Sequence, residues 1–188
     1  MTTEPAATAP PRDYRLLVPR DWFRIDLTEE RWRAQLKTFV DHQAEGKNVS
    51  ADLRQETWAV LRNTAEAAVR TGALEFFLRP ELEGGGVLPA SLVVSLIPRA
   101  EGLSARDLQE SLRAGSAQSD GSSSEISTVV LPAGEAVRVL GPTTLDLYVQ
   151  MPGGVGYLVL AFAVPLDGVA GPMRRLCESI AESLRWIL

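Results

Sequence analysis

Residues 127–164 read STVVLPAGEAVRVLGPTTLDLYVQMPGGVGYLVLAFAV, and this stretch decides the fold. Four apolar runs, 127–131, 135–140, 144–151 and 156–164, are separated by Pro-Ala-Gly, Gly-Pro and Pro-Gly-Gly. Glycine and proline at those intervals close tight turns, so the spacing predicts four strands in an antiparallel meander. The last run, residues 157–164, is apolar at odd and even positions alike, the pattern of a central strand covered on both sides. Helices must then cover both faces.

Downstream, Pro172 opens a predicted helix over 172–188, with Met173, Leu176, Cys177, Ile180, Ala181 and Leu184 on one stripe. Upstream, strands are expected at 73–79 and 91–97, joined by a loop containing Gly84, Gly85 and Gly86. Ser104 is placed to cap a short helix ending near 114, followed by a flexible Ser/Gly loop over 115–125. The N-terminal part predicts strands at 14–18 and 22–27 in an opening hairpin about Pro19, Arg20 and Asp21. A helical hairpin over 28–71 comes next. Thr28 caps its first helix, which carries the stripe Trp32, Leu36, Phe39 and Val40 and stops at Gly46 and Asn48. Ser50 caps the second, in which Trp58, Leu61, Ala65, Ala68 and Val69 share a stripe, and Gly72 ends it. The expected architecture is α+β: an antiparallel sheet with helices on both faces, an α/β/α sandwich, elaborated by the N-terminal hairpin. Residues 1–13 read as a disordered Ala/Pro/Thr tail and 14–188 as one domain.

Composition narrows the function classes. The chain has 188 residues, 45% hydrophobic and 23% charged, enough for one sizeable core. Charges balance over the first 79 residues, so the net −5 arises from Pro80 onward. That argues against nucleic acid, which demands clustered positive charge. A single cysteine, Cys177, cannot form an internal disulfide, the N-terminus lacks the features of a signal peptide, and the longest apolar run is about 12 residues, short of the ~20 a membrane helix takes. These features point to the cytoplasm, and the preference for Arg over Lys with abundant Ala suits a GC-rich bacterial genome.

The text Val18-Pro19-Arg20-Asp21-Trp22 at the start and Phe162-Ala163-Val164-Pro165 at the end of the last strand resembles the PsbP-like α/β/α sandwich family. That family includes a photosystem II extrinsic subunit, a nuclear Ran-binding protein and small actinobacterial lipoproteins. The resemblance covers roughly 14–27 and 73–188, leaves 28–71 as an elaboration, and lacks the lipid-attachment cysteine of the lipoprotein members. It implies a binding or adaptor role, with a bacterial secretion or envelope system as context, and transfers no functional residue.

No catalytic, cofactor or metal constellation stands out. His42, the only histidine, lies near Asp41 and Glu45, but catalytic zinc usually takes three protein ligands, and a solvated helix end is the better reading. No Gly-x-Ser-x-Gly elbow accompanies the serines. Gly84-Gly85-Gly86 is followed by a strand rather than by the helix a phosphate loop requires, so it reads as a hairpin tip. Cys177 falls in an apolar stripe and reads as core. The leading expectation is a non-enzymatic adaptor that binds another protein without a cofactor, through a surface including Trp22, Arg33, Lys37 and Arg62. Two alternatives stay open: a small-molecule module with an apolar pocket between sheet and helices, and a hydrolase whose site is assembled only in space.

Overall fold

The computed structural model describes residues 9–45, 49–80, 89–98, 105–118 and 124–188. Among these residues it is a mixed α+β fold built on one large antiparallel sheet and four helices. Its strands are β1 (Asp13–Arg15), β2 (Phe23–Asp26), β3 (Ala73–Leu78), β4 (Ser91–Pro98), β5 (Glu125–Leu131), β6 (Gly134–Leu140), β7 (Thr144–Gln150), β8 (Gly156–Ala163) and β9 (Arg185–Ile187). The helices are α1 (Trp32–Ala44), α2 (Ala51–Arg70), α3 (Ala105–Gln118) and α4 (Gly171–Glu182).

The large sheet has the order β2-β3-β4-β8-β7-β6-β5. β5 to β8 form the expected meander, and β8 is the middle strand of seven. Its residues 156–160 are all buried, from either side of the strand, as an uninterrupted apolar run requires. Two apolar clusters divide the core, and β3 shows the division directly. Phe77 joins one while Phe76 and Leu78 join the other, because successive strand side chains point to opposite faces. The first cluster gathers Leu92, Leu147, Leu158, Leu160 and Phe162 with Met173, Cys177, Ile180 and Leu184 of the α4 region. The second gathers Ile25, Phe76 and Leu78 with Trp32, Leu36, Phe39, Leu61 and Ala65 of α1 and α2. Each fully buried Leu, Ile or Phe contributes about 1.5–3 kcal/mol of apolar burial, so the two clusters dominate the stabilisation.

Five local expectations need correction. The strands at 14–18 and 22–27 do not pair: β1 pairs with β9 and β2 with β3. The turn itself forms, with Trp22 N donating to Pro19 O at 3.0 Å, but it turns the chain between two sheets. Thr28 does not cap α1. Asp26 Oδ1 accepts from both Thr28 N (2.9 Å) and Thr28 Oγ1 (2.6 Å), a local turn that competes with capping, and α1 starts at Trp32 behind Arg31. The C-terminal helix ends at Glu182, and 185–187 become β9, where pairing with β1 supplies backbone partners that a fraying last turn lacks. α3 extends to Gln118, into the segment expected as loop, and Glu125 belongs to β5. At the other end, Arg12 N donates to Ile187 O at 2.7 Å and Asp13 is in β1, so the tail stops short of residue 13.

Ser50 does cap α2, accepting from Leu53 N at 3.1 Å. Gly72 ends that helix with φ +87°, and a Cβ there would lie 2.8 Å from Leu96 O, so both conformation and space demand glycine. The terminators Gly46 and Asn48, the cap Ser104 and the Gly84-Gly85-Gly86 loop lie outside the described residues.

Candidate functional site

The residues expected to carry partner binding are not one surface. Trp22, expected outside because it follows a charged turn, is 6% exposed and packs in the first cluster with Phe77, a correction that the local sequence could not supply. Arg33 is exposed, but its guanidinium lies 4.4 Å over the Trp32 ring and pairs with Glu66 at 3.2 Å. Lys37 pairs with Asp41 at 2.6 Å, and that hydrogen bond holds the Asp41 carboxyl below the usual carboxylate range. Arg62 is half-buried, with its Nε buried and unpaired and its other end 3.3 Å from Asn63 Oδ1. Arg33 and Lys37 are therefore already engaged in ion pairs.

His42 stays on the surface, its Nδ1 3.3 Å from Glu45 Oε2, in a shallow depression with Thr38, Asp41, Ala44 and Arg54. Among the described residues no group of three His, Cys, Asp or Glu side chains is placed to hold a metal. Cys177 is fully buried, and burial pushes its thiol up to about 11, which leaves no thiolate at neutral pH. Beside β1 and β2, Glu75 accepts from the Tyr14 hydroxyl and from Arg24 Nε in an open cleft, and burial followed by the Glu75 bond raises the Tyr14 phenol well above its ordinary range. Asp13, Arg15 and Asp26 line the same cleft.

A further recognition geometry lies at the far edge of the sheet. β5 is the terminal strand, paired to β6 over all seven residues without a register shift. It contains no Pro or Lys, its one charge is Glu125 at its start, and Val130 is 86% exposed. Natural edges are usually guarded by shortness, charge, proline or a bulge. The opposite edge, β2, is four residues long with Arg24 and Asp26 at alternate positions. Beside β5, under α4, is a notch of about 140 Å³ lined by Val129, Val130, Leu131, Leu145, Leu147 and Ala181, with Arg138, Glu178 and Glu182 also lining it. Arg138 donates to Ser127 Oγ and Glu125 Oε1, both at 3.1 Å, and lies 4.0 Å from Glu178 Oε1.

No protein-family model, curated protein or solved structure matches the chain. Among the described residues, no helix is long and apolar enough to cross a membrane. The β5 edge was not visible beforehand as a site. The apolar run of β8 already marked it as central, as the order with β4 bears out, but nothing in the residues of β5 marked the strand left outermost as a binding edge.

Proposed function

We propose that this chain is a non-enzymatic interaction protein that receives an extended segment of a partner protein as an added strand along β5. The single observation carrying the reading is a seven-residue terminal strand, with no Pro, Lys or register shift and no further strand paired to it among the described residues, next to a side-chain-sized notch. Strand addition draws affinity from backbone hydrogen bonds and specificity from pockets that take alternate side chains. A fitting partner segment places a small apolar side chain in the notch, and a basic residue beside Glu182, which forms no ion pair among the described residues, suits the excess negative charge of this half of the chain. Arg33, Lys37 and Arg62 form a second possible contact surface on α1 and α2, weaker because Arg33 and Lys37 already hold ion pairs.

The reading includes an α/β/α layering with an N-terminal helical hairpin. Supporting it, α1 and α2 contact each other and lie against β2 and β3, while the first cluster gathers about α4. Val137 is fully buried yet belongs to neither cluster, and the helix in contact with its strand is α3, which suits α3 on the face opposite α4. A cytoplasmic adaptor, of the PsbP-like kind and accessory to a bacterial secretion or envelope system, is the biological form of this proposal. One free, buried cysteine and the acidic balance, ill suited to nucleic acid, agree with it. The test is Val130→Lys in a tagged chain expressed in its native cells. The proposal expects loss of a specific co-purifying protein with unchanged melting, whereas Arg33→Glu retains it. Retention by Val130→Lys and loss by Arg33→Glu would move the interface to α1 and α2.

A further inference from the structure

The β5 edge is complementary to itself. Val129 and Leu131 pack on the first cluster, so Ile126, Thr128 and Val130 point to the opposite face, where the layering proposed above places α3. Two β5 strands laid antiparallel about Thr128 bring that residue opposite its own counterpart and keep the whole strand, Glu125–Leu131, in register. Val130, 86% exposed, then stands opposite the half-buried Ile126 of the second copy, and the two-fold repeats the pair. β-Branched apolar side chains directly opposite one another stabilise an antiparallel ladder. Leu108 and Leu112 of α3 are also only half-buried and join neither cluster, so the helix beside this edge has apolar surface left to cover.

Charge matches in the same register. Glu135 of β6 is the cross-strand neighbour of Val130, is exposed, and forms no ion pair among the described residues. Arg113 of α3 is exposed, donates to Ile126 O at 3.5 Å, and likewise forms no ion pair among them. In the two-fold pairing, Ile126 of the second copy joins the row of Val130 and Glu135, two strand spacings or about 10 Å from Glu135. The Arg113 that reaches that Ile126 therefore comes within side-chain reach of Glu135, with N–H donors to spare, and does so twice per pair of chains. On the other face, Ser127 of the second copy falls opposite Val129 beside the notch, and Glu125, placed opposite Leu131, is already paired with Arg138 at 3.1 Å.

We infer that the strand received at β5 is the β5 of a second copy of this chain, joining the two large sheets into one across a two-fold axis at Thr128. This rests on the strand-docking reading and names its partner; the cation that suits the acidic half of the chain comes from Arg113 and meets Glu135. Pairing also protects an edge that has no bulge, proline or lysine of its own. The test is sedimentation velocity of the purified chain over a concentration series. The parent should be a dimer and Val130→Lys a monomer with unchanged melting. Glu135→Arg and Arg113→Glu, each placing like charges at both symmetric contacts, should weaken the dimer about tenfold, and the double variant should recover most of that loss. Thr128→Cys should join to its counterpart through a short bis-maleimide, while the parent, whose one cysteine is fully buried, does not react. A parent that is monomeric throughout, a dimer that persists in Val130→Lys, or a double variant as weak as either single one would overturn the assignment. A monomeric parent that still loses a different co-purifying protein on Val130→Lys would overturn it while leaving the strand-docking reading intact.

Discussion

Tyr14 stands directly opposite Trp186 across the short antiparallel ladder that joins the two ends of the chain. The Trp186 indole Nε1 donates to Ala133 O at 2.7 Å, and Leu17 N donates to Ser183 Oγ at 2.9 Å, so this ladder is tied both to the β5/β6 turn and to the end of α4. Trp186→Ala removes a half-buried ring and leaves the Ala133 carbonyl unpaired. It should cost about 2–3 kcal/mol, while Leu188→Ala, at an exposed position, stays within about 0.5 kcal/mol. Urea denaturation checks both, and equal stability of Trp186→Ala and the parent would show that the chain ends are not joined this way.

α4 and the turn after it are the main cover of the first cluster, with Cys177 and, beyond the helix, Leu184 fully buried and Ile180 2% exposed. Ile180→Ala should cost about 3 kcal/mol from lost transfer and cavity energy. The Cys177 thiol then offers a probe that needs no mutation. Its labelling by a disulfide reagent at pH 8 should proceed only as fast as the protein unfolds, and fast labelling of the native chain would contradict the packing of α4.

How much of this was readable follows from the range of each signal. β6, β7 and β8 were legible because alternation and Gly/Pro turns are local, and the stripe of α4 because its period repeats over three turns. The β1/β9 pairing joins residues about 170 positions apart, so nothing in either short segment announces the other. Trp22 misled because a charged turn signals exposure, yet its ring goes inward to Phe77. Asp146 gave no motif at all. An isolated acid in an alternating strand reads as solvent-facing, yet this one is partly buried in the folded sheet.

Asp146 gives the fold a defined pH dependence. Burial raises its carboxyl from 3.8 unfolded to about 6 folded, so the folded state prefers the neutral acid. Its stabilising contribution is complete below pH 3.8 and is lost as pH rises through about 6. Asp146→Asn keeps the neutral shape at all pH values, and should be more stable than the parent by about 2–3 kcal/mol at pH 7.5, with the difference vanishing near pH 3.5. Thermal melts across this range check the sign, and a variant less stable than the parent at pH 7.5 would mean that the carboxylate is paired after all.

If a partner docks along β5, photo-crosslinking from single positions in native cells will trap it there. A benzophenone side chain at Val130, exposed beside the notch, should trap one discrete partner. The same group at Lys37 on α1 or at Leu166 beyond β8 should trap none in comparable yield. A partner trapped at Lys37 with nothing at Val130 would contradict the account.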